Sequence, residues 1–227
     1  MKITFYGHSS FAIETMGKTI VVDPFISANP MASQVDLNEL KADYILLTHG
    51  HQDHILDVEA IAANGNPLLI SNYEIVTHYS KKGIQGFGMN HGGSYKDESI
   101  GSIKMVNAVH SSSFPDGSYA GNPAGFVLEN DEGCLYIAGD TAVNMDMKLI
   151  PMMGYKLDLA IMPIGDTFTM DYKEASLASE LVQCNRVLGC HFNTFPPIQI
   201  DSEKAKMYFT DKGQELILLE IGQSYTI

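Results

Sequence analysis

Apolar residues recur along the chain at two spacings, and the spacings separate strands from helices. Ile3 and Phe5 alternate with polar neighbours, which predicts a half-buried strand over residues 2–6. Gly7-His8-Ser9-Ser10 turns the chain into a second strand, 11–14, and Met16-Gly17-Lys18 leads to a third, 19–22, that stops at Asp23-Pro24. Together they read as an antiparallel meander. A short helix is expected over 36–41, followed by a buried strand in the apolar run Tyr44-Ile45-Leu46-Leu47. Residues 55–63 carry helical spacing and end at Asn64-Gly65-Asn66-Pro67, a strong stop signal. A strand over 68–71, a helix over 72–82 closing at Gly83, and glycine-rich turns with one short strand over 83–94 come next.

In the second half, strands are expected over 102–109, 125–128 and 134–137, the last two joined by the hairpin turn Asn130-Asp131-Glu132-Gly133. Residues 157–162 form an apolar strand stopped by Pro163. A helix over 172–183 takes Thr169 or Asp171 as its cap, with Glu174 able to close a capping box on Asp171. A strand over 186–189, a helix over 202–210 and a last strand over 215–221 complete the order. Residues 111–125 are rich in Ser, Gly and Pro without any period, and read either as a loop over a site or as a plain surface excursion. No linker, low-complexity tract or repeat divides the chain, so one domain over residues 1–227 is expected.

Side chains with metal-binding chemistry stand where the predicted strands end. Thr48-His49-Gly50-His51-Gln52-Asp53-His54 sets three histidines and a carboxylate directly behind Leu47. His110, Asp140 and His191 each follow an apolar run in the same way. These seven side chains, His49, His51, Asp53, His54, His110, Asp140 and His191, include no lysine or arginine. They are too many for one tetrahedral ion and suit two ions that share a bridging carboxylate. His78, in a predicted helix beside Tyr79, and His91, in a glycine-rich turn, read as structural. Cys190 adjoins His191, but strand alternation sends the two side chains to opposite faces.

Charge narrows the partners. Twenty-seven acidic residues against 14 basic ones give a formal charge of −13, a field that repels phosphate backbones and anionic membranes. It does not exclude a small anionic substrate, because divalent ions at a site outweigh distant surface charge. With 45% hydrophobic and 18% charged residues the composition is that of an ordinary globular protein. Cys134, Cys184 and Cys190 form neither an even set nor a CxxC pair, and the opening residues lack a secretory apolar core. A cytoplasmic protein with reduced thiols is expected.

The spacing His49-x-His51-x-Asp53-His54, then His110, Asp140 and His191, resembles the metallo-β-lactamase fold superfamily. Gly7-His8-Ser9-Ser10-Phe11, Val22-Asp23-Pro24-Phe25 and His191-Phe192-Asn193-Thr194-Phe195-Pro196 look like a compact group of bacterial and archaeal metal-dependent hydrolases. That group is similar to the ascorbate-6-phosphate lactonase branch. The resemblance implies an α/β fold, a four-layer αββα sandwich with two mixed β-sheets flanked by helices. It also implies that His49, His51 and His110 hold a first metal, that Asp53, His54 and His191 hold a second, and that Asp140 bridges them.

Two such ions would lower the pKa of a shared water, so that a bridging hydroxide attacks an ester, lactone or phosphoester of a small soluble substrate, with Asp53 shuttling the proton. Zinc or manganese is the expected pair, though a His/Asp set accepts iron or cobalt as well. His8 reads either as a hydrogen-bonding core residue or as one that reaches the site's mouth, and Asp23 either as a buttress behind the metal loop or as a plain turn former. Asn193 and Thr194 could orient substrate or cap the turn before Pro196-Pro197. The competing functions are an iron-dependent redox enzyme on the same fold and a phosphodiesterase or nuclease acting on nucleic acid. Retention of His51 and the absence of a flavin domain disfavour the first, and the acidic, compact chain disfavours the second. The expected partner is a small-molecule substrate, without a membrane, and with homo-oligomer formation left open.

Overall fold

Strand alternation sorts side chains between apolar layers, and that sorting sets the architecture. The computed structural model describes residues 1–227. The first sheet begins with β1 (Lys2–Gly7), β2 (Ser10–Thr15) and β3 (Lys18–Val22), paired antiparallel with Ile3 opposite Ile13 and Ile13 opposite Ile20. Parallel strands β4 (Tyr44–Leu46), β5 (Leu68–Asn72) and β6 (Gly86–Met89) extend it. The second sheet starts antiparallel with β7 (Ser94–Asp97), β8 (Gly101–Asn107), β9 (Ala124–Asn130) and β10 (Gly133–Ile137). It continues parallel through β11 (Leu159–Pro163), β12 (Arg186–Cys190) and β13 (Glu215–Ile217).

Along β9 and β10, Phe126, Leu128, Leu135 and Ile137 enter a core shared with Ile20, Val22, Leu46 and Ile70 of the first sheet. The intervening Val127 and Tyr136 point the other way, onto Ala175, Ala178 and Val182 of α5 (Tyr172–Val182) and Phe209 of α6 (Ser202–Asp211). On the first sheet Val21, Ile45 and Leu69 face Val58 and Ile61 of α2 (Val58–Gly65) and Ile75 and Tyr79 of α3 (Tyr73–Ser80). Two mixed sheets therefore pack face to face with helices outside each, an α/β sandwich of the metallo-β-lactamase type. No helix is long and apolar enough to cross a membrane.

Several elements differ from the sequence expectation. Residues 36–41 form turns instead of a helix, because Asp36 Oδ1 accepts from Asn38 N at 2.9 Å and competes with helical bonding. The helix expected over 55–63 begins inside the motif as α1 (Gln52–Ile55) and breaks at Leu56-Asp57 before α2. Asp57 is diverted there to accept from Ile26 N and Ser27 N. The last expected strand stops at Ile217, and the chain crosses to the first sheet, where β14 (Ser224–Thr226) pairs with β1. A helical segment over Met145–Lys148 and α4 (Leu149–Met152) had no counterpart in the expectation.

Strand direction now places the site. β1 and β3 run parallel to β4 and β5, and β8 and β10 run parallel to β11 and β12, so within each sheet these C-terminal ends share one edge. His191 N donates to His8 O at 2.8 Å and joins the two edges across the sandwich. Open α/β sheets bind ligands at such an edge.

Candidate metal centre

Behind β4 the chain turns sharply through Thr48–His51 because Asp23, buried at the end of β3, ties it down. Asp23 Oδ1 accepts from Thr48 N at 2.8 Å, and Oδ2 accepts from Thr48 Oγ1 at 2.6 Å. His54 Nδ1 lies 2.9 Å from the same Oδ2, and His49 Nδ1 lies 3.0 Å from Thr48 Oγ1. Thr48 has already given its proton to Asp23, so His49 Nδ1 must donate to it, and His54 Nδ1 must donate to the carboxylate. In their neutral state both rings are thereby fixed with the lone pair on Nε2, the tautomer a metal ligand needs. A side chain at Gly50 would collide with Ala120, so only glycine lets the 111–123 loop lie against the motif. Asn72 Nδ2 donates to Ala120 O at 2.8 Å and to Asn122 O at 3.1 Å, and so anchors that loop.

The structure brings all seven candidate side chains together. Asp140 Oδ2 stands 3.1 Å from His191 Nε2, 3.3 Å from His54 Nε2, 3.6 Å from His110 Nε2 and 4.0 Å from His49 Nε2. His49 Nε2 and His51 Nδ1 are 2.9 Å apart, and His49, His51 and His110 form one compact group. His191 Nε2 lies 3.9 Å from Asp53 Oδ2, and His8, Asp53, His54 and His191 form another. Two nitrogens on a tetrahedral zinc at about 2.0–2.1 Å stand roughly 3.3 Å apart, and the observed donor separations scatter about that value. Moreover, His54 Nε2 and Asp140 Oδ1 are buried without a hydrogen-bond partner. Orphaned buried lone pairs of this kind are what a bound cation satisfies, so the residues fit a pair of divalent ions.

Electrostatics favour the same fit. Burial, reinforced by neighbouring imidazoles, holds His49 well below the usual histidine range and lowers His51 and His110, leaving neutral rings with free lone pairs. Burial also presses on His54, but the Asp140 and Asp23 carboxylates on either side outweigh it and raise its pKa well above normal. The protein thus invites a positive charge at His54 Nε2, which a metal can supply. Burial would raise the Asp140 carboxyl, yet His191 and His54 hold it well below the carboxylate range.

His8 fills the space beside Asp53. Its Nε2 is 3.0 Å from Asp53 Oδ2 and its Nδ1 is 3.0 Å from Thr194 Oγ1. Burial lowers its pKa to about 4, against the opposing pull of Asp53. A neutral His8 that donates to Asp53 must accept from Thr194. Asn193 lies alongside, where its Oδ1 accepts from Ile200 N at 2.9 Å and pins the turn. His78 stacks on Phe114, and His91 Nε2 lies 2.9 Å from Pro123 O; neither joins the ligand groups. Cys190 is buried in the core between the sheets.

Backbone conformation marks the same region. His8 (φ 56°), Asp23 (φ 42°), His191 (φ 53°) and Asn193 (φ 58°) all adopt left-handed geometry that non-glycine residues rarely tolerate. Sequence reasoning missed three supports. Thr48 links Asp23 to His49. Thr141 Oγ1 accepts from Val109 N at 2.9 Å and fixes the His110 segment beside Asp140. Gly165 lies so close to His191 O that any side chain there would clash. Only Thr48 carried a local signal, its place at the head of the motif.

Residues 2–191 match the family model described as the beta-lactamase superfamily domain. A UPF0173 metal-dependent hydrolase of Flavobacterium johnsoniae is 58% identical over 224 residues, covering 99% of each chain. One of Thermus thermophilus is 45% identical over 224 residues, covering 98% of this chain and 97% of its own. Among solved structures, Igni18, a metallo hydrolase from the archaeon Ignicoccus hospitalis, superposes with a TM-score of 0.90 at 35% identity. It covers 100% of this chain and 97% of that one.

Proposed function

Because the chain belongs to the β-lactamase superfamily, as a UPF0173-type metal-dependent hydrolase, we propose that it hydrolyses an ester, lactone or phosphoester of a small substrate at a two-metal centre. His49, His51 and His110 would hold one ion, Asp53, His54 and His191 the other, and Asp140 would bridge them. The observation that carries this reading is Asp140 Oδ2, which faces four imidazole Nε2 atoms at 3.1–4.0 Å from a position 3% exposed. A carboxylate so placed suits two cations far better than any hydrogen-bond role. Bound zinc or manganese would supply Lewis acidity and a water that ionises near neutral pH.

The protein's own groups then divide the work. Asp53 is the open carboxylate, its side chain 32% exposed where that of Asp140 is 3%, so it alone can meet a substrate's leaving group. His8 holds Oδ2 of Asp53, which leaves Oδ1 to accept the proton of the attacking water and return it to the departing oxygen. Asp23 and Thr48 keep His49 and His54 in the ligating tautomer. Buried free thiols at Cys134, Cys184 and Cys190 fit a reducing, cytoplasmic setting.

A panel of p-nitrophenyl ester, lactone, thioester and phosphodiester substrates, offered to the metal-loaded protein, tests the reading. Asp53→Ala should lower kcat on any turned-over substrate by about 10²–10⁴-fold. Unchanged turnover in that variant would remove Asp53 from the mechanism.

A further inference from the structure

A cavity of about 370 Å³ adjoins the candidate centre and shares His8 and Thr194 with it. That volume lies in the range of about 300–1,000 Å³ that holds small ligands. One wall is apolar, formed by Phe5 of β1, Phe192 behind β12, and Leu219 and Ile221 on the crossing to β14. The opposite lip, in the loop after β3, carries Met31 and Gln34, both exposed. No lysine or arginine lines it, and its one carboxylate, Glu220, sits at the exposed edge. Asn29 lines it too, buried, with Oδ1 taken by Met31 N at 3.0 Å and Nδ2 without any partner in the protein.

An anionic group here would find no cation and would face Glu220. An aliphatic group would gain the apolar wall. We propose that this cavity seats an uncharged, mainly aliphatic portion of the substrate beside the bond that the centre cleaves. This assignment rests on the hydrolase reading above. It makes Met31 and the Leu219–Ile221 segment determinants of chain length, and His8 the partition between this cavity and Asp53.

The test compares p-nitrophenyl acetate, butyrate and hexanoate on the metal-loaded full chain and on Met31→Trp, an exposed position where folding should survive. In the wild type, kcat/KM should rise by about tenfold or more from acetate to hexanoate. Met31→Trp should cut the hexanoate-to-acetate ratio by about fivefold. A flat chain-length profile untouched by Met31→Trp would overturn the inference while leaving the hydrolase reading intact. Saturation-transfer NMR with hexan-1-ol gives a readout independent of turnover. Binding that Met31→Trp abolishes supports the cavity even if no ester is hydrolysed, a result that would count against the hydrolase reading alone. Absence of hexan-1-ol binding to the wild type would overturn the cavity assignment.

Discussion

Asp23 makes three contacts that no other residue could replace together, and their chemistry sets a sharp expectation. Its Oδ2 accepts from both Thr48 Oγ1 and His54 Nδ1, while Oδ1 accepts from Thr48 N. Asp23→Asn keeps the volume but turns one acceptor into a donor, so the three bonds cannot all form, and an amide nitrogen in the place of Oδ2 would face Thr48 Oγ1 and His54 Nδ1. His49 and His54 then lose the restraint on their tautomers. We expect divalent-metal affinity to fall by about 10- to 100-fold, measured by competition with a chromophoric chelator. Affinity within about twofold of the wild type would mean that Asp23 serves the turn alone.

At the scale of elements, α5 was legible to its cap. Asp171 Oδ1 accepts from Lys173 N and Glu174 N at 2.8 Å each, and Glu174 Oε2 accepts from Asp171 N at 3.2 Å. Asp171→Ala should destabilise the fold by about 1 kcal/mol in urea denaturation, with no change in metal content. The strands behind the motif were equally readable, because Tyr44–Leu46 and Arg186–Cys190 are mainly apolar runs, with His49 three residues past the first and His191 directly after the second. What the sequence hid depends on distant partners. Asp57 breaks the helix behind the motif only because Ile26 and Ser27 present their amides to it. Ser224–Thr226 is too short and polar to announce a strand, and it exists because β1 offers a free edge. His8 looked equally like a core residue until the fold set Asp53 and Thr194 at its two nitrogens.

Across the whole molecule, the metal-free protein concentrates buried histidines in one cleft, and acid should find that weakness. Below about pH 6.5 an unfolded chain protonates its histidines. The folded chain keeps His8 neutral down to about 4, and His49, His51 and His110 are likewise held below the usual value. Between those limits the unfolded state binds more protons, so stability falls as pH falls. His54, raised by Asp140 and Asp23, adds stability that is fully present below about pH 6.5 and is lost only as pH rises above it, outside this window. Urea denaturation of metal-free protein from pH 7 to 4 should show stability declining across that window, with His8 contributing on the order of 3 kcal/mol. A flat or rising profile would contradict the neutral state of these rings.

The two half-sites meet at a single oxygen, Asp140 Oδ2, and counting ions tests that arrangement most directly. Calorimetric titration of the metal-stripped protein with zinc should give two ions per chain, falling to one in His51→Ala and one in His191→Ala, each variant retaining the other half-site. A wild type that binds a single ion, or a His51→Ala variant that still binds two, would contradict a two-metal centre built from these residues.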